Sequence, residues 1–279
     1  MVSALKIWDQ TTNLPAPAAL PLSPRAILLF DIDGVIRDVS RSYRRALSET
    51  VQHFSGWRPS AAAIDALKGE GRWNNDWEAA LELLRRGGLA PLPAFNDLVD
   101  VFSGFYFGGD PEDDPMLWQG FIRSEPLLVV PVFFDTLSAA GIAWGFVSGA
   151  EPPSARFVLE ARLGLSDPPL VAMGDAPDKP DPTGLLRLAQ QLAGRPLGPG
   201  APPIAYLGDT VADVFTVVQA RVRQPGQVLL SLAVAPPHLH DNAAARGTYE
   251  HSLRSAGADQ LLGSTAELDP EQLLAWLEA

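Results

Sequence analysis

Apolar segments alternate with helical segments from residue 119 onward, and this alternation restricts the possible fold more than any other feature of the sequence. Predicted strands lie at 142–147, 169–173, 203–207 and 227–234. Segments with helical spacing of apolar residues lie at 131–141, 153–164, 181–194 and 211–221, and two further predicted helices close the chain. Strands that alternate with helices pair in parallel. The sequence therefore predicts an α/β fold with a doubly wound, Rossmann-like parallel sheet.

The apolar run at 26–30 predicts one more strand of this sheet, and the pattern changes after it. Four segments with helical spacing, separated by Gly or Pro, follow at 42–54, 60–71, 75–88 and 92–109. They predict an all-helical domain at 41–118, inserted into an α/β core formed by 25–40 and 119–279. Residues 1–24 are rich in Pro and Ala and are predicted to be an N-terminal extension.

Charge and composition limit the partners of the chain. The net charge of −12 disfavours nucleic acid and anionic membrane surfaces, so an anionic substrate needs local cations or a metal. The absence of cysteine excludes disulfides and thiolate metal sites, and it agrees with a reducing compartment. No apolar run is long enough to span a bilayer, and the N-terminal apolar stretch is too short for a signal peptide. We therefore expect a cytoplasmic protein.

Polar groups follow four of the predicted strands, at the edge where open parallel sheets bind ligands. They are Asp31 and Asp33, Ser148 with Gly149, Lys179, and Asp209 with Asp213. Each group has an ordinary structural explanation: a solvated loop for Asp31 and Asp33, a helix cap for Ser148 and Asp209, a surface position for Lys179. Four such groups in order, each at a predicted strand end, favour a site. Carboxylates without Cys or clustered His favour Mg²⁺ as the metal.

This series resembles the haloacid dehalogenase-like (HAD) superfamily of hydrolases with an aspartate nucleophile. The Asp31-Ile32-Asp33-Gly34 segment matches the D-x-D-G motif of its phosphatases and phosphomutases, whereas true dehalogenases lack the second aspartate. The helical insertion lies where subfamily I members carry a helical cap. The resemblance covers residues 26–220 well and implies the fold already predicted.

The resemblance also implies a role for each group. Asp31 is the expected nucleophile that forms an aspartyl phosphate, and Asp33 is the expected general acid and base. Ser148, the Gly149 N–H group and Lys179 are expected to bind phosphate. Mg²⁺ is expected on Asp31, the main-chain carbonyl of Asp33 and Asp209. Asp213 is expected to bind it directly or through water, with a purely structural role as the alternative.

Substrate choice is expected to depend on the inserted helices, since the core chemistry is generic. Seven polar or aromatic residues are candidates for contact with substrate: Arg37, Tyr43, Arg44, Lys68, Arg72, Asn75 and Trp77. Such a mixture suits a polar, polyhydroxylated ligand, but turn formation and packing inside the insertion explain it equally well. The four histidines are scattered, and the segment 236–242, which holds His238 and His240, is expected to be an exposed loop, with a metal site as the alternative.

These observations predict a Mg²⁺-dependent phosphatase for a small phosphorylated metabolite, such as a sugar or polyol phosphate. A phosphomutase of the same family is the nearest alternative, because it uses the same core residues. An alternative of another class is a binding or regulatory module without catalysis, against which the complete set of site residues argues. The oligomeric state has no signal in the sequence.

Overall fold

The central strand β1 (Ala26–Phe30) is completely buried and pairs in parallel with a strand on each side. A strand covered on both faces needs a continuous apolar run, which is what residues 26–30 provide. The computed structural model describes residues 24–73 and 75–278. Of the predicted extension at 1–24, all but Pro24 lies outside these residues.

The described residues form one parallel sheet of six strands in the order β3-β2-β1-β4-β5-β6. The further strands are β2 (Ile142–Val147), β3 (Leu170–Val171), β4 (Ile204–Gly208), β5 (Leu229–Val234) and β6 (Gln260–Leu262). The sheet and its flanking helices confirm the predicted α/β class. Strand β6 was not predicted, because three residues are too few to show a strand pattern.

Helices cover both faces of the sheet and fill the insertion. The insertion contains α1 (Tyr43–Ser55), α2 (Ala61–Lys68), α3 (Asp76–Arg86) and α4 (Phe95–Tyr106). The remaining helices are α5 (Pro131–Ala139), α6 (Pro152–Arg156), α7 (Thr183–Ala193), α8 (Val211–Arg223), α9 (Ala243–Ala256) and α10 (Pro270–Glu278). Helix α6 continues as a π-helical segment, Phe157–Arg162.

The inserted helices have a hydrophobic cluster of their own. Leu47, Leu84, Phe102 and Tyr106 are fully buried in it, and Trp118 closes it on the return toward the sheet. We propose on this basis that α1–α4 form a cap domain, with boundaries near those predicted at 41 and 118.

Two short linkers connect the insertion to the sheet. We call residues 34–41 the outgoing linker and residues 125–130 the return linker. They run side by side: the Asp38 N–H donates to the Pro126 carbonyl at 2.9 Å, and the Leu128 N–H donates to the Ile36 carbonyl at 2.8 Å. Arg37 lies at the centre of this pairing, and its main chain forms isolated β-bridges with Asp33 and Leu127. The hydrogen bonds between the two linkers thus connect both ends of the insertion to the loop that follows β1.

In the part of the chain that the structure describes, every helix is too short or too polar to cross a membrane.

Candidate active site

The loop after β1 carries the first two acidic residues of the site. Asp31 follows the strand directly and is buried, whereas the Asp33 side chain is 22% exposed. Gly34 then turns the chain with φ of +79°, a conformation that glycine adopts without strain. A Cβ atom at this position would lie 2.0 Å from Asp209 Oδ2. The glycine therefore lets the β1 loop approach the carboxylate at the end of β4.

Three buried carboxylates converge beside this loop. One oxygen each of Asp31, Asp209 and Asp213 lies within 4.8 Å of the others. Burial raises the pKa of Asp31 to about 6, opposed by Lys179 and reinforced by the charges of Asp213 and Asp33. Burial and the neighbouring aspartates also raise the pKa of Asp209 well above its ordinary value. Buried, mutually repelling oxygen ligands of this kind fit a hard divalent cation, which would relieve the repulsion.

Lys179 is held between two of these carboxylates. Its Nζ donates to Asp213 Oδ1 at 2.5 Å and to the Tyr206 hydroxyl at 3.1 Å, and it lies 3.0 Å from Asp31 Oδ1. Burial acts to lower the pKa of Lys179, but Asp213 and Asp31 raise it well above its ordinary value. The lysine is therefore charged, and it offsets part of the negative charge of the site.

Asp213 has both oxygens engaged by protein groups. Its Oδ2 accepts from the Thr210 N–H at 2.9 Å and from the Thr210 hydroxyl at 2.6 Å, which closes the N-terminus of α8 as a capping box. Its Oδ1 accepts from Lys179 and, at 3.0 Å, from Tyr206. Burial acts to raise its pKa, but Lys179 and Thr210 lower it. This arrangement favours the water-mediated form of the metal contact predicted for Asp213.

Ser148 and Gly149 follow β2 and face the same place. The Ser148 side chain is buried and accepts a hydrogen bond from the Ala150 N–H at 3.2 Å. Both residues line a cavity of about 70 Å³ together with Asp31, Asp33 and Asp209. Lys179 reaches Asp31 from beside this cavity. The structure therefore brings together all seven core residues that the sequence singled out.

The inserted helices close the cavity on its other side. Three of the predicted substrate residues, Tyr43, Arg44 and Lys68, line it. The two cations are paired: Arg44 Nη2 donates to Asp65 Oδ1 at 2.5 Å, and Lys68 Nζ lies 2.7 Å from Asp76 Oδ1. The side of the cavity formed by the inserted helices therefore carries two cations, each paired with a carboxylate.

Four other predicted substrate residues do not line the cavity, and the geometry gives no support to the contacts predicted for them. Arg37 is 0% exposed and is bonded between the linkers. Arg72 is 72% exposed and pairs with Glu70.

The remaining two serve helix α3. The Asn75 Oδ1 atom accepts from the Trp77 and Glu78 N–H groups and caps the helix, while the Trp77 ring packs edge-on against Phe95. The neighbouring Asn74 lies outside the described residues.

His238 is one of the cavity residues that the sequence prediction missed, since its loop was expected to be exposed. Its side chain is only 14% exposed, and its Nε2 lies 3.1 Å from Asp65 Oδ1, which joins the core to helix α2. The sequence did hold a signal for His238, because the Pro-Pro-His segment follows β5 and therefore lies at the carboxyl edge of the sheet, where ligands bind. Tyr249 of α9 also lines the cavity and had no such signal.

Comparison with known proteins gives matches to a family model, to a curated relative and to solved structures. A family model described as haloacid dehalogenase-like hydrolase matches residues 26–220. An imidazoleglycerol-phosphate dehydratase of Phytophthora nicotianae is 31% identical over 244 residues, which are 86% of this chain and 50% of that protein. The chain therefore spans about half the length of this curated relative.

Among solved structures, a phosphonoacetaldehyde hydrolase-like protein of Oleispira antarctica superposes with a TM-score of 0.65 at 17% identity, covering 91% of this chain and 93% of its own. A phosphatase of Thermococcus thioreducens superposes with a TM-score of 0.55 at 21% identity, covering 82% of this chain and 99% of its own. At these identities the two structures support the fold.

Proposed function

Since the chain belongs to the haloacid dehalogenase-like hydrolases, we propose that it is a Mg²⁺-dependent phosphatase acting through an aspartyl-phosphate intermediate. One observation carries the proposal: Asp31, Asp33, Ser148 and Asp209 line a single small cavity, with Lys179 paired to Asp31. A nucleophile, a proton donor, a phosphate-binding hydroxyl and a buried cation are the groups that this chemistry requires.

The proposed metal site consists of Asp31, the main-chain carbonyl of Asp33 and Asp209, with Asp213 reached through water. The crowding of these carboxylates, which raises the pKa of Asp31 and Asp209, supports it. When bound, Mg²⁺ would neutralise the repulsion between the phosphate and the attacking carboxylate.

The chain's own residues carry the two proposed steps. An Asp31 oxygen attacks phosphorus, the bond from phosphorus to the ester oxygen breaks, and Asp33 gives its proton to the departing alkoxide. Asp33, now a carboxylate, then takes a proton from the water that attacks the aspartyl phosphate, which releases inorganic phosphate and restores Asp31. The Ser148 hydroxyl and the Gly149 N–H bind phosphoryl oxygens, and Lys179 keeps the Asp31 oxygen beside it ionised.

The cavity wall supports a small, polar leaving group. It includes Arg44 and Lys68, each paired with a carboxylate, together with Tyr43 and Tyr249. Hydroxyl-rich groups such as sugar or polyol phosphates suit such a wall. The name of the Phytophthora relative adds imidazole-bearing phosphate esters as candidates, although the dehydratase activity is not transferred to a chain that matches half of that protein.

A screen of phosphate esters tests the proposal. Purified protein with Mg²⁺ is offered a panel of sugar, polyol and imidazole-alcohol phosphates, with Asp31→Asn as the matched inactive control. We expect release of inorganic phosphate from at least one ester by the native protein and none by the variant. An isomeric phosphate in place of free phosphate would identify a phosphomutase. No reaction with any ester would favour a binding module, and full activity in Asp31→Asn would refute the mechanism.

The predicted absence of nucleic-acid and membrane partners and the cytoplasmic location still rest on composition alone. We retain them as part of the proposal.

A further inference from the structure

Arg37 is a buried cation outside the cavity, and the chemistry proposed above does not use it directly. Its guanidinium makes three hydrogen bonds: Nε donates to Asp33 Oδ1 at 2.6 Å, Nη1 to Glu125 Oε2 at 3.0 Å, and Nη2 to Ser154 Oγ at 2.8 Å. Removing a guanidinium from water is costly unless every donor direction is matched by an acceptor. A residue retained at such a position therefore needs an explanation.

The partners of Arg37 come from separate parts of the chain. Asp33 belongs to the loop after β1, Glu125 begins the return linker, and Ser154 lies on α6 of the core. Arg37 itself lies on the outgoing linker. One side chain thus contacts the proposed proton donor, both linkers and the core.

A second layer of hydrogen bonds extends this network into the insertion. Glu125 Oε1 accepts from the Ser42 hydroxyl at 2.5 Å and from the Tyr106 hydroxyl at 3.1 Å. Tyr106 OH also lies 2.8 Å from Ser154 Oγ. Ser42 precedes α1 and Tyr106 ends α4, so the start and the end of the inserted helices are both connected to Arg37.

The bond from Arg37 fixes one oxygen of Asp33 and leaves the other available. Asp33 Oδ1 accepts from Arg37, whereas Oδ2 makes no hydrogen bond to a described residue, and the side chain lines the cavity. A carboxylate held at one oxygen has its rotation restricted, so the second oxygen keeps a defined direction. Proton transfer depends strongly on that direction, because donor and acceptor must be within hydrogen-bonding distance.

We propose that Arg37 is a positioning residue that aims Asp33 at the leaving group and links that aim to the two linkers of the insertion. The inference rests on the proposed function, since it takes Asp33 as the general acid and base. Asp33 is correctly oriented only while the outgoing and return linkers are paired around Arg37. The seating of the inserted helices is thereby coupled to proton transfer.

Leaving-group dependence separates positioning from a merely structural role. An alkyl phosphate needs a proton at its departing oxygen, whereas p-nitrophenyl phosphate expels a stable phenolate without one. The experiment compares Arg37→Gln with the native protein on the best alkyl ester and on p-nitrophenyl phosphate, with the nitrophenol burst measured separately from steady-state turnover. The control is Arg162→Gln, because Arg162 donates to the Glu125 main-chain carbonyl of the same linker without contacting Asp33.

We expect Arg37→Gln to lower kcat/KM on the alkyl ester by about 10- to 100-fold, the usual effect of losing an orienting partner. The burst with p-nitrophenyl phosphate should change by less than about threefold, while its steady-state rate falls because Asp33 is also needed to activate water. Arg162→Gln should affect both substrates equally. Equal losses of kcat/KM on both substrates in Arg37→Gln would overturn the inference.

A double-mutant cycle with Asp33→Asn provides the second test. In the Asp33→Asn background, Arg37→Gln should cause almost no further loss on the alkyl ester, since the side chain that it positions can no longer donate or accept the transferred proton. Full additivity would overturn the inference. If Arg37→Gln does not fold, the test uses Glu125→Gln instead. This variant keeps the shape of the Glu125 side chain but removes the charge that pairs with Arg37.

The two proposals fail in different ways. An Asp33→Asn variant that shows no selective loss on the alkyl ester contradicts the proposed acid–base role. An Asp33→Asn variant with a selective loss, combined with an Arg37→Gln variant without one, contradicts the positioning role only.

Discussion

Replacing Asp31 by Asn should stabilise the metal-free protein at neutral pH, although it should abolish the proposed reaction. Asp31 is buried beside Asp209 and Asp213, and its pKa is about 6 in the folded protein against an ordinary value of 3.8. A raised pKa in the folded state means that folding favours the protonated form. The contribution of protonated Asp31 to the stability of the native protein is therefore fully present below pH 3.8. It is lost as the pH rises through about 6, where the buried side chain ionises.

The magnitude follows from the two pKa values. The penalty that Asp31 places on the folded state is below about 1 kcal/mol at pH 4 and reaches about 3 kcal/mol at pH 7, where the buried side chain is ionised. Asparagine has a similar shape and stays neutral, so the variant lacks this penalty at every pH. Any constant effect of the amide shifts all values equally, and the change with pH is the diagnostic quantity.

Urea unfolding in EDTA measures the difference in the free energy of unfolding between Asp31→Asn and the native protein from pH 4 to pH 8. The difference should increase in favour of the variant by about 2–3 kcal/mol over this range. Asp113→Asn, at an exposed loop position, is the matched control and should show no such trend. Saturating Mg²⁺ should reverse the sign at pH 7, because the native protein gains binding energy that the variant has lost. A difference that is independent of pH in EDTA would refute the reasoning.

Three further outcomes are expected. Gly34→Ala would place a Cβ atom 2.0 Å from Asp209 Oδ2, so Mg²⁺ affinity measured by calorimetry should fall at least about tenfold; unchanged affinity would contradict the proposed site. Lys179→Met leaves the buried carboxylates of Asp31 and Asp213 without their cation. Urea titrations in EDTA should therefore show a free energy of unfolding lower by about 3–5 kcal/mol. Native-like stability would mean that the lysine is not an essential counter-charge. Asn75→Ala should lower the free energy of unfolding by about 1 kcal/mol through loss of the α3 cap, with KM unchanged, and Asn75→Asp should keep the native stability. A raised KM in both variants would mean that Asn75 contacts the substrate.

The sequence was sufficient to predict the core of the site because the carboxyl ends of parallel strands all meet at one edge of the sheet. Asp31, Ser148 and Asp209 are far apart in the chain, yet each lies at the carboxyl end of a strand of the same sheet, and the structure places them around one cavity. The roles assigned to these residues stay predictions, as does the identity of the metal.

Only three of the seven predicted substrate residues line the cavity, because helical spacing does not reveal which face of a helix turns toward it. Arg37 was predicted to contact substrate, but its buried guanidinium pairs with Glu125, 88 residues later. The contact between His238 and Asp65 spans 173 residues. Neither pairing leaves a local pattern in the sequence.

The hydrogen-bond network around Arg37 also has a consequence for chimeric proteins. An insertion taken from another family member and joined at the two linkers would bring its own residues to the positions of Ser42, Tyr106 and Glu125. Without the Glu125 carboxylate and the two hydroxyls that donate to it, the recipient would carry an unmatched guanidinium in its interior, beside the aspartate that it has to hold. A transplant meant to change substrate choice would then fail in turnover even where the new cavity fits its ligand. The transferable unit is therefore the helices together with both linkers, Arg37 included.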